Sequence, residues 1–312
     1  MTTTVEKTLP AADVLVRGPE SLWRQALRAF FRQRSAVIGL GMLVFLVLVA
    51  LLAPVIAPYE PTQVLISVED VQKREPPCIH LLGCPADHPQ HIMGIDGNVR
   101  DEFSRVIYGA RVSLYIGFIT VGFAILVGIF LGSIAGYLGG RLEDIIMRTL
   151  DVLLAFPSLL LAIAIVSVLG PGLINAMLAI AIVSIPAYAR VMRASVLAAK
   201  EEEYVQAARV VGVSPLWILF RHIMPNAISP LIVQGTLGIG TAILETAALS
   251  FLGLGAQPPT PEWGSMLSAE RNQVFSAPFL VFFPGLAIMI NVLSFNLLGD
   301  GLRDALDPRL RK

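Results

Sequence analysis

Five stretches of this chain run for 23 residues or more without an Asp, Glu, Lys or Arg, and that pattern limits what it can fold into. They lie between Arg34 and Glu60 (25 residues), Arg111 and Arg141 (29), Asp151 and Arg190 (38), Arg221 and Glu245 (23), and Arg271 and Asp300 (28). A helix crosses the hydrocarbon core of a bilayer with about 20 apolar residues, so four of these stretches hold one span each. The stretch of 38 would make a single helix of about 57 Å, and Gly170-Pro171-Gly172 interrupts it. It reads as a tight hairpin of two spans. The expected fold class is all-α integral membrane, with six transmembrane helices.

Composition agrees. Charged residues make up 15% of the chain and hydrophobic ones 55%, against roughly 25% charged in soluble chains. A net charge of zero offers no basic footprint for nucleic acid, and two cysteines exclude a disulfide scaffold. Six spans place both termini on one side, and the positive-inside rule makes that side cytoplasmic. Seventeen of the 23 Lys and Arg then face the cytoplasm. Counting acids as well gives +5 inside and −4 outside, and Glu245 adds the last charge within the membrane.

The domain plan follows. Residues 1–35 form a cytoplasmic tail, 36–58 the first span, 59–110 an extracytoplasmic loop, and 111–312 a core of five further spans. The first apolar run is too long and too far from the N-terminus for a signal peptide. Within the tail, Leu22, Trp23, Ala26, Leu27, Phe30 and Phe31 recur at helical spacing with arginines mainly opposite. That pattern suits either a helix lying on the inner membrane surface or a plain basic anchor. Between the fourth and fifth spans, residues 194–225 read as a helix continuing to Val211 and ending at Gly212. Ser214-Pro215 then serves as N-cap and first position of a short helix that Pro225 closes. A helix-turn-helix held just outside the bilayer presents a rigid bump to a partner, or is simply a surface helix.

Several residues invite sharper readings. Glu245 is the one acid isolated within an apolar region, and an intramembrane carboxylate is costly enough to suggest a gate or path. Helix-to-helix hydrogen bonding is the competing role. Gln234, Thr236 and Thr241 in the fifth span, with Asn291, Ser294 and Asn296 in the sixth, either line a wet passage or bond between helices. Glycines 117, 122, 128, 132 and 136 read as close-contact positions, and Pro157 and Pro186 as kinks. Cys78 and Cys84 lie among His80, His88 and His91. On an oxidising face the two cysteines read as a disulfide, with zinc as the alternative.

The 204–226 segment resembles the cytoplasmic signature of bacterial ABC-importer permeases. Gln206-Ala207-Ala208, Gly212 and Pro225 hold its fixed positions, with Gln206, His222 and Met224 departing from the general form. Tyr204, Ala207, Ala208, Gly212, Ser214, Arg221, His222 and Pro225 are similar instead to the dipeptide/oligopeptide/nickel branch. Other matching runs are 91–114, Glu245 to Gly264, and Phe295 to Arg309, and they look like the second, C-type permease of that branch. Ile95 and Val99 depart from its usual pattern.

The resemblance implies a type I ABC-importer permease fold in the bacterial cytoplasmic (inner) membrane. It implies no catalytic residue, no metal and no cofactor bound by this chain. ATP and Mg would lie in two separate ATP-binding subunits, consistent with the absence of a G-x-x-x-x-G-K-[ST] loop here. A sister permease would complete a heterodimer in membrane lipid, and an extracytoplasmic binding protein would deliver di- or oligopeptides. Import of nickel or another small solute is the alternative within this class. A proton-coupled secondary transporter is the alternative outside it, although Glu245 alone makes a poor relay.

Overall fold

A computed structural model of the chain describes residue 28 and residues 30–306. The helix expected over 19–34 lies mostly outside the described residues, as does the Asp307–Arg309 run. The described residues are helical, without an extended sheet. In chain order the main helices are α1 (Arg34–Ile56), α2 (Glu102–Leu138), α3 (Gly140–Leu154), α4 (Ser158–Leu169) and α5 (Leu173–Lys200). They continue with α6 (Glu203–Val210), α7 (Ser229–Phe251), α8 (Trp263–Glu270) and α9 (Phe279–Leu306). Helices α1, α2, α5, α7 and α9 are each long and apolar enough to cross a bilayer.

The remaining span is broken. Pro157 has no N–H to donate and disfavours helical backbone in the residue before it. The chain therefore turns by 92° between α3 and α4. Helix α4 has only 12 residues, about 18 Å at 1.5 Å per residue, too short to cross alone. A sixth crossing requires the bent α3–α4 pair to act as one span, so the described residues hold five long spans and one bent pair. Gly170, at φ +91°, turns the chain into α5, and the N–H of Gly172 donates to the carbonyl of Leu254 just beyond α7. Asn175 ties the same hairpin by donating to the carbonyls of Leu169 and Gly170.

Helix α2 starts nine residues earlier than the charge pattern suggests, because Asp101 caps it by accepting from the Ser104 N–H at 2.7 Å. At 37 residues it is about 55 Å long and stands well beyond the bilayer. Its glycines form a seam against α5. A Cβ on Gly128 would sit 2.6 Å from Tyr188 Cβ, and those on Gly132 and Gly136 would meet the Ala189 and Arg193 carbonyls. Gly117 makes the same kind of contact with Ile239 and Ile243 of α7, but Gly122 faces open space and has no such role. Helix α1 closes against α9, where Gly39 leaves room for the backbone of Leu297 and Leu298.

Candidate functional site: the inner segment, the buried polar groups and the outer cap

The inner connection differs from a simple helix-turn-helix. Helix α5 stops at Lys200 and a separate helix begins at Glu203. Three successive acids, Glu201 to Glu203, suit the positive end of a new helix and oppose the negative end of the old one. Gly212 sits at φ +83°, with open space on the side where a Cβ would project, and turns the chain toward Ser214. Ser214 stands at the N-cap, and its carbonyl accepts from Ile218 N–H at 3.0 Å, although its hydroxyl makes no capping bond.

Pro225 does not close this helix. Residues Ile218–Ile223 form a wider π-turn directly before it, which accommodates the missing N–H and the ring. The chain then continues through Met224–Ala227 into α7.

Val205, Ile218, Leu219 and Ile223 anchor this segment in the core. On its other side Val210, Val211, Leu216, Trp217 and Phe220 stand in the open, Val210 at 89% and Trp217 at 60% exposure. Ala207, Arg221 and Pro225 are exposed as well, while Ala208 packs inward. Asn226 locks the fold by donating to Tyr204 Oη at 3.1 Å and to the His222 carbonyl at 3.0 Å. The Nδ1 of His222 is enclosed without a partner. The structure thus brings Tyr204, His222 and Asn226 together across α6 and the π-turn.

Within the spans, Glu245 accepts from the Ser158 hydroxyl at 3.1 Å. That bond joins α7 to the first residue of the short α4. Asn291 is fully enclosed, at 0% exposure, and neither of its amide atoms has a partner. Asn296 is exposed, and Gln234 lines an open groove with Val191, Val233, Leu237 and Arg303. Thr236, Thr241 and Ser294 return their hydroxyls to carbonyls four residues back on their own helices. Those three therefore make no hydrogen bond between helices among the described residues.

The outer connection is an ordered cap. Cys78 and Cys84 are disulfide-bonded, with Cα atoms 5.5 Å apart. The bridge closes a loop of about seven residues, which the chain-entropy relation values at about 2 kcal/mol. Cys84→Ser is expected to speed amide exchange across 78–91 while leaving α2 and α5 unaffected, as hydrogen exchange would read. Zinc has no thiolate left to bind there, although the Sγ atoms lie within 4.8 Å of a His88 ring nitrogen.

His91 is buried, with Nδ1 2.8 Å from Asp101 Oδ1 and Nε2 3.1 Å from Glu69 Oε2. Burial opposes its charge, but the hydrogen bonds and charges of Asp101 and Glu69 prevail and raise its pKa above 6.5. A raised folded-state pKa stabilises fully below the unfolded value and loses that stabilisation as pH climbs through the folded value. Protection of the cap is therefore expected to be greatest below pH 6.5 and to decline above it. His91→Gln should flatten that profile in hydrogen exchange, and an unchanged profile would remove His91 as its source.

The cap is pinned to the helices by contacts that no local pattern announces. Trp263 Nε1 donates to the Val106 carbonyl at 3.0 Å, and Arg74 Nε to Glu270 Oε2 at 2.8 Å. Glu262 caps α8 by accepting from the Gly264 and Ser265 N–H groups.

Comparisons with known proteins agree with this architecture. Residues 128–312 match the family described as binding-protein-dependent transport system inner membrane component. Residues 21–77 match the N-terminal TM domain of oligopeptide transport permease C. The dipeptide transport system permease protein DppC of Alkalihalophilus pseudofirmus is 47% identical over 293 residues, covering 93% of this chain and 91% of its own. The di/tripeptide permease protein DppC of Pseudomonas aeruginosa is 45% identical, covering 97% of each chain. The glutathione permease protein GsiD of Escherichia coli is 45% identical, covering 95% of this chain and 92% of its own. An inward-facing structure of the MetNI methionine ABC transporter shares the fold at a TM-score of 0.54 and 17% identity, over 65% of this chain and 97% of that one. Matches of this extent place the chain in the family of binding-protein-dependent transport system inner membrane components.

Proposed function

We propose that this chain is the second permease subunit of an ATP-driven importer of di- or oligopeptides. It is a transport subunit, and ATP hydrolysis belongs to separate subunits. The observation that carries the reading is the apolar surface of Val210, Leu216, Trp217 and Phe220, held rigidly beyond the spans. Exposed apolar groups on an ordered segment mark a docking site, and ATP-binding subunits are the partners that membership of the family calls for. The activities of the relatives, dipeptide and di/tripeptide transport, support peptide cargo.

In this reading both termini face the cytoplasm, and a sister permease completes a heterodimeric pore in the bilayer. Two ATP-binding subunits, which hold ATP and Mg, dock on 204–225, and a binding protein delivers cargo to the outer cap. Movement of those subunits pushes the π-turn, and the Asn226–Tyr204 bond passes the displacement to α6. Helices α5 and α7 then tilt as rigid bodies between inward-open and outward-open states. Glu245, Gln234 and Asn296 are the polar groups of the path, with Glu245 joining α4 to the moving α7.

The test begins with purification of the complex from native membranes and identification of its subunits. Reconstituted complex should accumulate labelled dipeptide only with ATP and binding protein present. Uptake driven by a proton gradient alone, or co-purification without an ATPase, would overturn this reading.

A further inference from the structure

The outer cap contains a carboxylate whose hydrogen-bonding capacity this chain leaves unmet. Glu102, the first residue of α2, is 2% exposed, and no hydrogen bond or ion pair reaches its side chain among the described residues. The neighbouring first-turn amides are engaged elsewhere. Glu102 N–H donates to the Gly94 carbonyl, Ser104 N–H to the Asp101 side chain, and Arg105 N–H to the Asp101 carbonyl. A buried carboxyl group is costly without a partner.

The nearby charges are matched to other groups. Asp96 is held by Arg100 through Nε at 2.8 Å and Nη2 at 2.7 Å. Glu270 is held by Arg74 and by the Gly97 N–H. Arg105 donates through Nη1 to the Pro61 carbonyl at 2.7 Å and lies 3.5 Å from Asp96 through Nε. Its charge therefore reaches Glu102 only through space.

Glu102 borders a partly open cavity of about 50 Å³, lined on one side by Asp96, Arg100 and Arg105 and on the other by the 258–270 segment, including Thr260 and Ser265. The Ser265 hydroxyl donates to the Glu262 carbonyl at 2.7 Å, so its oxygen has lone pairs left to offer. The Thr260 hydroxyl makes no hydrogen bond among the described residues. One carboxylate with two hydroxyl oxygens is a hard, all-oxygen donor set. Among the described residues no three carboxylates converge here closely enough to hold a metal ion, and the two arginines in the lining oppose a double charge.

We propose that this cavity is a binding site for a compact monovalent cation, with the Glu102 carboxylate as its anchor and the Thr260 and Ser265 oxygens completing the seat. An alkali ion and a primary ammonium head share that chemistry. The site joins the start of α2 to the α7–α8 connection, so occupancy would tie the outer ends of two spans together. It does not depend on the nature of the cargo.

Hydrogen exchange on the complete complex in lipid nanodiscs tests it, using sodium, methylammonium and tetramethylammonium chloride at equal ionic strength. At ten times its dissociation constant, a bound cation slows exchange about tenfold in amides that open with the site. Protection is expected at 97–105 and 258–266. Sodium acting alone would identify an alkali site, and methylammonium acting alone an ammonium site; protection by both fits the shared chemistry. Tetramethylammonium is too large to enter. Equal protection by all three salts, or by none, would overturn the proposal, because the cavity would then hold only water. Glu102→Gln is expected to abolish the effect, and its persistence would also overturn the proposal. If that variant does not accumulate, Glu102→Asp keeps the charge but withdraws it by one methylene. The cation's effect should then weaken several-fold, and an unchanged effect would count against Glu102.

Discussion

Trp217→Asp is expected to abolish ATP-driven uptake while leaving the chain folded in the membrane. Trp217 is 60% exposed, so aspartate in its place meets water in the isolated chain, and exposed substitutions typically alter stability by no more than about 0.5 kcal/mol. Docking changes that environment. A charge buried without a partner in an apolar contact costs about 3–5 kcal/mol, which weakens association by roughly 10²- to 5 × 10³-fold. The neighbouring Phe220 and Leu216 should behave alike, with Leu216→Ala milder because it only removes contact area. Three measurements separate the outcomes: abundance of the chain in membranes, retention of ATP-binding subunits on purification, and uptake by reconstituted complex. Normal abundance with lost subunits and lost uptake is the expected result. Normal uptake would show that the exposed surface is not the docking site and would remove the main support for the proposed coupling.

The membrane plan was legible because charge is excluded from the hydrocarbon regardless of tertiary detail. The five uncharged stretches therefore found each long span among the described residues. The same rule has no purchase on how an uncharged stretch is divided. Residues 152–169 look uniform in hydropathy, yet Pro157 cuts them and leaves α4 with 12 residues. Pro225 misled in the opposite direction. A proline ends a regular α-helix, but the π-turn at Ile218–Ile223 lets this one continue. That adjustment depends on the packing of Ile218, Leu219 and Ile223 in the core, which no local pattern reveals.

The outer cap was the least legible region, for a different reason. Its organising contacts join residues far apart in sequence: Arg74 with Glu270, Arg105 with Pro61, and Trp263 with Val106. Each looks like an ordinary loop residue among polar neighbours. The cysteine pair was the exception, since two thiols six positions apart suggest a link by themselves. Glu102 could have been noticed as an acid beginning a helix after a capping Asp, but its enclosure becomes visible only once 258–270 folds over it. Glu245 was the reverse case, obvious by its isolation and modest in its contact, a single bond from Ser158.

A single methyl group should separate two glycines that the sequence treats alike. Gly132→Ala places a Cβ against the Ala189 carbonyl and 2.7 Å from Met192 Cβ, and a backbone neighbour cannot rotate aside. Helices in lipid gain little from hydrophobic burial against each other and rely on close packing, so α2 and α5 must separate to admit the methyl. Overpacking of this kind costs about 1–3 kcal/mol, more than alanine's helix propensity returns, about 1 kcal/mol over glycine. At Gly122 no atom lies within 4 Å of the added Cβ. There the propensity term stands alone, and Gly122→Ala should be neutral or slightly stabilising. Thermal unfolding of the detergent-extracted complex, with chain abundance in membranes, reads both variants on one scale. Gly132→Ala is expected to lower the unfolding temperature, and Gly122→Ala to leave it unchanged or raise it slightly. If Gly132→Ala were as stable as the unsubstituted chain, the seam between α2 and α5 could not be the close contact that holds these spans together. If Gly122→Ala were also destabilising, its open face would have to be covered by another chain of the complex, and the sister permease would be the first place to look.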